Sequence, residues 1–291
     1  MIRYPVTPAL LDAMVDAESA NWRTRAAVTT GQLIAAGHFN LKSNYWGEIK
    51  PAFMKAQNYK CIFCERALSQ KEVGSGEHDL EHYRPKGNLK LWPRGARAKQ
   101  LAYNFPTGVA GGGYYWLAYD LANYAASCIP CNRALKSDSF PIASTRGAAH
   151  GAVSALDASE QPFLLYPFGA GADDPADYIT FNGVIAVPVA ANGHAHLRGR
   201  VTIDFFKLNE RGELFAERFQ QIERYWANAR TYTLEQDPAR KAAAKRVLDR
   251  AVSPAAPHSA CIKAFEKVMI NDPTQAWEIY CDAEAFLKSR N

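Results

Sequence analysis

Two pairs of cysteines carry the strongest chemical signal in this sequence. Cys61 and Cys64 form one Cys-x-x-Cys motif, and Cys128 and Cys131 form another. Each motif lies on one tight turn and can present two thiolates to one metal ion, so that two pairs complete a tetrahedral zinc site. Such a site has no open position for substrate, and we therefore predict a structural zinc ion that joins segments far apart in sequence. A redox pair is the alternative that spacing alone leaves open.

A second group of polar residues lies between and beside the cysteine pairs. An acidic residue and a histidine are adjacent at Glu81 and His82, and the basic, proline-containing stretch 83–86 follows them. Asn123 precedes the second cysteine pair, and Asn132 follows it directly. The order is therefore a cysteine pair, an acidic-His dipeptide, an internal asparagine, and a cysteine pair that runs into asparagine.

Together these motifs resemble the HNH endonucleases, and more narrowly the HNH nuclease subunits of Septu and retron-associated antiphage defence systems. The similarity extends over about residues 44–225, including 164–168 and 202–209 downstream. The resemblance implies an α+β fold, mainly α-helical, with an embedded zinc-stapled ββα-metal (His-Me finger) nuclease unit. It also implies a metal-dependent endonuclease that hydrolyses phosphodiester bonds in nucleic acid as an effector of bacterial antiphage defence.

The resemblance assigns roles to individual side chains. His82 is the expected general base, because an imidazole that titrates near neutral pH can take a proton from water. Glu81 and Asn132 are the expected ligands of a catalytic Mg²⁺ or Mn²⁺ ion, which prefers hard oxygen atoms. Asn123 is the expected structural asparagine, whose amide bonds the backbone and fixes the loop that carries His82.

Asn132 departs from the common pattern, because many HNH sites have histidine at this position. A neutral amide is a weaker ligand and leaves the ion with few protein ligands. His78 or Asp79 could join the metal site, and the sequence does not decide between them. Neighbouring strand residues also point in opposite directions, so Glu81 and His82 can share a site only where the strand bends or ends.

Basic residues follow the catalytic dipeptide. The segment 82–119 contains no Asp or Glu but six Lys or Arg residues. We predict that nucleic-acid phosphates are contacted by Arg84, Lys86 and, one helical turn after Asn132, Lys136. A solvated basic loop is the alternative. A second basic group on a predicted helix, Arg240, Lys241, Lys245 and Arg246, is more simply interpreted as a solvated surface than as a phosphate or partner surface.

These residues require elements that position them. The helical and turn signals predict three regions: an N-terminal helical region at 1–58, the HNH ββα-metal domain with its four-cysteine zinc site at 59–145, and a loop and hairpin followed by a C-terminal helical region at 146–291. Within them we predict a helix from Trp46 to Gln57, with Pro51 near its first turn. We also predict a hairpin turn at Asn182-Gly183.

Composition limits the class of protein. With 48% hydrophobic and 22% charged residues, the chain is typical of an ordinary globular protein. We predict a cytoplasmic location and no membrane partner, because the sequence shows neither a secretory signal nor a bilayer-length apolar stretch. The net charge of +5 is compatible with a nucleic-acid partner. Cys261 and Cys281 are interpreted as buried core thiols.

Two questions stay open at this point. DNA is preferred over RNA, because the ββα-metal unit of related nucleases lays its helix against the minor-groove side of a duplex. These motifs contain no residue that would distinguish deoxyribose from ribose, so RNA remains the alternative. A non-catalytic zinc module that binds nucleic acid or a partner protein would explain the thiolates and the basic loop, but not the acidic-His dipeptide with the two asparagines. An ATPase partner subunit is implied by the resemblance alone.

Overall fold

The computed structural model describes residues 1–42, 44–69 and 76–289. Its fold is mixed α+β, mainly helical, with two small antiparallel sheets among the described residues. The chain divides into two compact units. The N-terminal unit comprises Arg3–Ile62 and Leu68–Asp173, and the C-terminal unit comprises Met1–Ile2, Phe63–Ala67 and the chain from Asp174 onward. The N-terminal unit contains most of the predicted regions 1–58 and 59–145.

The N-terminal unit combines helices with one hairpin. Its regular elements are α1 (Pro8–Glu18), α2 (Trp22–Ala36), a 3₁₀ turn (Trp46–Ile49), α3 (Lys50–Ala56), β1 (His78–His82), α4 (Gly95–Leu101), 3₁₀ turns at Tyr115–Leu117 and Leu121–Asn123, β2 (Tyr124–Cys128), a π-helical segment (Pro130–Lys136) and α5 (Val153–Glu160).

The C-terminal unit is a helical bundle with a second hairpin. Its elements are a 3₁₀ turn (Pro175–Asp177), β3 (Ile179–Asn182), β4 (Ile185–Pro188), α6 (Gly193–Phe205), α7 (Gly212–Leu234), α8 (Pro238–Ala251), α9 (Ser259–Asn271) and α10 (Pro273–Lys288). In the described part of the chain, no helix has both the length and the apolar character needed to cross a membrane.

Local chemistry explains how the helices near the site begin. Thr7 caps α1 by accepting a hydrogen bond from the Leu10 backbone N–H at 3.3 Å. The single helix predicted from Trp46 to Gln57 is split in two, with a 3₁₀ turn before α3. Pro51 lies in the first turn of α3 and has no N–H to donate to a carbonyl four residues earlier. The regular α-helix therefore starts only at this turn.

Strands β1 and β2 pair antiparallel, and the π-helical segment follows β2 almost immediately. The register runs from His78 opposite Cys128 to His82 opposite Tyr124. Strand β2 is buried along its whole length, which its small central residues permit. Two strands and a short helix therefore occur in the order that the resemblance to a ββα unit implied.

A buried ion network holds the long connection between β1 and β2. The Arg84 side chain is 1% exposed, and its guanidinium donates to Glu160 at 3.2 Å and to Asp157 at 2.7 Å. Glu160 is fully buried and also accepts from the Tyr114 hydroxyl and the Gly147 N–H. Arg84 therefore has a structural role in place of the predicted nucleic-acid contact, because its buried guanidinium bonds two carboxylates of the protein.

The hairpin of the C-terminal unit forms as predicted, but its turn lies one residue later. Asn182 pairs with Ile185, which leaves Gly183 and Val184 as the turn residues rather than Asn182 and Gly183. Gly183 has a φ of 54°, a left-handed conformation that glycine adopts without strain. Of the two isolated cysteines, Cys261 is fully buried in the bundle core, whereas Cys281 is half-buried.

Replacing Glu160 with Gln should destabilise the N-terminal unit by about 3 kcal/mol, because Arg84 would lose a fully buried counter-charge. Asp157→Asn removes a partner whose side chain is 49% exposed, and it should cost less than about 1 kcal/mol. Urea unfolding followed by circular dichroism measures both changes. Equal losses in the two variants would contradict the assignment of Glu160 as the main partner.

Candidate metal and catalytic site

The four cysteines of the two Cys-x-x-Cys motifs meet in one buried group. Their Sγ atoms all lie within 4.8 Å of one another, and each residue is at most 3% exposed. Tetrahedral zinc–thiolate bonds of about 2.3 Å place the sulfur atoms about 3.8 Å apart, so this group fits the ion. The Cys128 backbone N–H also donates to the Cys61 sulfur at 3.4 Å. The convergence of both pairs supports a structural metal site such as zinc rather than an isolated redox pair.

A buried glutamine joins the first cysteine turn to β2. The Gln57 side chain donates to the carbonyls of Lys60 and Ala126 at 3.0 and 2.9 Å and accepts from the Ala126 N–H at 2.7 Å. The Ile62 N–H adds a further bond to the Ala126 carbonyl. Because Gln57 is fully buried, these bonds replace those that water would make. The sequence does not indicate this role, because Gln57 lies outside both cysteine motifs.

The candidate general base, His82, is held in one orientation. Its Nε2 atom lies 3.0 Å from the carbonyl of Ala118, and its ring meets Trp46 and Tyr124 edge-on at centroid distances of 4.8 and 4.9 Å. A carbonyl can only accept, so Nε2 carries the proton and Nδ1 has the free lone pair. Burial holds the pKa of His82 well below its ordinary value, and the Lys86 ammonium acts in the same direction. The imidazole is therefore neutral near pH 7 and able to accept a proton.

Asn123 fixes the chain that follows β1. Its Oδ1 accepts from the Arg84 backbone N–H at 2.7 Å, and its Nδ2 donates to the Arg84 and Leu117 carbonyls at 3.0 and 3.1 Å. The Asn123 carbonyl also accepts from the Tyr83 N–H. The side chain is buried and bonds only backbone groups. This is the geometry that a structural asparagine supporting the His82 loop requires.

Glu81 and Lys136 form a buried ion pair beside His82. The Lys136 Nζ atom lies 2.7 Å from Glu81 Oε1 and also donates to the His82 carbonyl at 2.7 Å. Burial raises the pKa of Glu81, and the Lys136 ammonium opposes that shift. Lys136 is fully buried, so the structure makes it the counter-ion of Glu81 instead of the predicted surface contact for phosphate.

Glu81, His82 and Asn132 line the same hollow. Two overlapping pockets, with volumes of about 240 and 430 Å³, share these three residues together with Lys86 and Arg133. His82 is the last residue of β1, and there the alternation of strand side chains no longer separates it from Glu81. The structure therefore brings a carboxylate, an imidazole and an amide to one surface, as the sequence predicted. The oxygen donors of Glu81 and Asn132 suit a hard ion such as Mg²⁺.

The structure distinguishes the two open candidates near β1. His78 lies on the opposite side of the strand from Asp79, with its Nε2 3.1 Å from the Ser69 carbonyl, and it lines neither pocket. Asp79 lines the larger pocket and lies 3.4 Å from the Asn132 amide nitrogen. Of the two candidates, Asp79 is therefore the one that lines the pocket together with Glu81, and its carboxylate also pairs with Arg133 at 2.8 Å.

Several pocket residues come from outside the predicted motifs. The 3₁₀ turn before α3 contributes Trp46, and α3 contributes Lys50. Lys86, a predicted phosphate contact, places its ammonium over the Trp46 ring at 4.7 Å and lines both pockets. Burial lowers the pKa of Lys86, while the Glu81 carboxylate opposes the shift. Trp46 was predicted to be an apolar helix residue, and no spacing signal connected it with His82.

Comparison with known proteins found a similarity to a Septu protein. The chain is 29% identical over 221 residues to the Septu protein PtuB of Bacillus mycoides (strain KBAB4). The alignment covers 75% of this chain, and the chain spans 65% of the length of that relative. No family model matches the sequence, and no solved structure matches it. The similarity supports a relation to the Septu proteins that the sequence motifs had indicated.

Removal of one thiol should abolish metal retention. We expect Cys64→Ser to lose the bound zinc and to melt at a lower temperature, because a structural metal contributes directly to folding. Cys281→Ser is the matched control, since Cys281 lies outside the thiol group. Elemental analysis of the purified proteins measures the zinc per chain. Full zinc content in Cys64→Ser would show that the four thiols do not share one ion.

Proposed function

We propose that this chain is a metal-dependent endonuclease of the HNH type, with a ββα-metal unit built from β1, β2 and the π-helical segment. One observation carries the proposal: Glu81, His82 and Asn132 line a single pocket in which the histidine is neutral. A binding module needs zinc and a basic surface, but it does not need a neutral, buried imidazole that lines the same pocket as a carboxylate and an amide.

His82 has the geometry to activate water. Its Nδ1 lone pair would take a proton from a water molecule as the water oxygen attacks phosphorus and the bond to the leaving oxygen breaks. The leaving oxygen then acquires a proton from solvent. The Ala118 carbonyl accepts from Nε2 and would stabilise the charged ring that results. Packing against Trp46 and Tyr124 keeps the ring from rotating away.

Glu81, Asn132 and the adjoining Asp79 are the residues that would hold a divalent cation. When bound, the ion would supply a counter-charge for the phosphate and for the leaving oxygen. Lys136 contributes by favouring the ionised form of Glu81, against the effect of burial, and by orienting its carboxylate. Its ammonium reaches both Glu81 and the backbone carbonyl of His82, so the ligand and the base are held relative to one another.

The cations that line the pocket indicate an anionic substrate. Lys86 lines both pockets, Lys50 lines the larger one, and Arg133 is 66% exposed at the pocket edge. We propose DNA as the substrate and leave RNA as the alternative. The similarity to a protein named for the Septu system supports a role in antiphage defence, in which an ATPase subunit is the proposed partner.

His82→Ala should reduce nucleic-acid cleavage by at least about a hundredfold, because no other neutral base lines the pocket among the described residues. Zinc content, melting temperature and DNA binding should stay close to those of the wild type. His38→Ala replaces an exposed histidine and is the control. Cleavage is followed on plasmid, oligonucleotide and RNA with Mg²⁺ or Mn²⁺. If the wild type cuts none of these, the chain acts as a binding module instead.

Asn132→Ala should weaken Mn²⁺ binding by at least about tenfold, comparable with the loss of a supporting partner at other metal sites. Glu81→Gln should have a larger effect, because it removes the charged ligand. Electron paramagnetic resonance of Mn²⁺ measures binding without reference to activity. Glu77→Gln, which changes an exposed glutamate close by, should leave the affinity unchanged. Unchanged Mn²⁺ binding in Asn132→Ala would remove this residue from the ligand set.

A further inference from the structure

Helix α8 of the C-terminal unit has a high local density of positive charge. It carries five basic side chains and a single acidic one, whereas the whole chain has a net charge of only +5. The basic residues are all exposed, and they are Arg240, Lys241, Lys245, Arg246 and Arg250. Its neighbour α7 carries three acidic and three arginine residues, which is the mixture expected of a solvated helix. The charge of α8 is therefore a local feature of one helix.

The arrangement of these charges does not stabilise helix α8. Lys241 and Lys245, and likewise Arg246 and Arg250, are like charges four residues apart, a spacing that destabilises a helix by about 0.2–0.5 kcal/mol per pair. A surface selected for stability would alternate signs at this spacing. The helix instead draws its stability from burial of Ala244 and from packing on α7.

Most of this charge is not neutralised within the protein. Arg240 lies 3.7 Å from Glu235, and Lys245 pairs with Asp249. Among the described residues, Lys241, Arg246 and Arg250 have no acidic partner. Lys241 instead places its ammonium 5.3 Å from the ring centre of Tyr232, which is itself 37% exposed.

Small side chains separate the basic ones on the exposed side. Ala239, Ala242 and Ala243 are exposed and lie between the long Lys and Arg side chains. A polyanionic strand can therefore approach the helix backbone while the basic side chains reach its phosphates on either side. An exposed aromatic ring next to a lysine adds a contact that nucleic acids share.

We propose that α8 is a second nucleic-acid-binding surface, separate from the catalytic pocket, that contacts the phosphate backbone without reading base sequence. The charge density of a nucleic acid is complementary to a helix with five basic residues and few internal partners. The choice of nucleic acid as the ligand rests on the proposed function. The surface itself would provide affinity for long substrates, while the pocket provides the chemistry.

The test compares two variants that remove the same charge. Lys241→Gln, Arg246→Gln and Arg250→Gln are combined in one protein. Lys263→Gln, Lys267→Gln and Lys288→Gln are combined in the control, which changes exposed lysines on α9 and α10. Both sets are made in the full chain with His82→Ala, so that binding is measured without cleavage. Fluorescence anisotropy with a 30-base-pair duplex is recorded across a series of salt concentrations.

We expect the α8 variant to bind at least about tenfold more weakly at 0.1 M salt, with the slope of log affinity against log salt less steep by about 2 to 3. The control should retain the affinity and slope of the His82→Ala protein. Equal effects in both variants would show that only net charge matters, and no effect in either would remove α8 from the interface. Both results overturn the proposal.

The same experiment separates this inference from the proposed nuclease function. Suppose that the wild type cuts no nucleic acid, while the α8 variant still loses duplex binding. The second binding surface would then be supported, and the proposed nuclease function would be wrong. If duplex binding is unchanged while binding to an acidic polypeptide such as polyglutamate is lost, α8 is a protein-docking surface and the proposal is wrong. Circular dichroism verifies that both variants fold.

Discussion

The buried ion pair of Glu81 and Lys136 is the interaction on which the geometry of the candidate site depends. Burying two charges is costly, and the cost is offset only when each charge has good partners. Lys136 meets this condition because its ammonium reaches the Glu81 carboxylate and the His82 carbonyl, both at 2.7 Å. The pair joins the end of β1 to the π-helical segment that also carries Asn132. Loss of either charge would leave the other buried without its counter-charge, so the pair favours one position of the π-helical segment against β1.

The four cysteine thiols hold the π-helical segment at the other end of the β1–β2 hairpin. Cys128 ends β2 opposite His78, and the π-helical segment begins two residues later. A metal bound by the four thiols would fix the start of that segment, while Lys136 fixes its end. Such a short helix has little stability of its own, because isolated helices of this length do not persist in water. Its position is therefore set by contacts at both termini rather than by helical propensity.

The sequence predicted the parts of the site that depend on local motifs, and it missed those that depend on tertiary contact. The cysteine spacing indicated that the two pairs could meet, and the motif order placed Glu81, His82 and Asn132 together. Burial was not predictable in the same way. Arg84 and Lys136 are basic and follow motif residues, yet both point inward to carboxylates. Similar limits apply to the fold, where the position of the hairpin turn depended on the strand register at Gly183.

The cations around the pocket serve two purposes that depend on the same charge. Lys86 and Lys136 both hold the pKa of His82 down, although burial is the larger cause. The same positive charge would attract the phosphate of a nucleic acid. As phosphate enters, its negative charge would favour the protonated imidazole, and the base would become stronger at the moment when it is needed. The cations therefore act in the same direction as burial, which keeps His82 unprotonated before substrate binds.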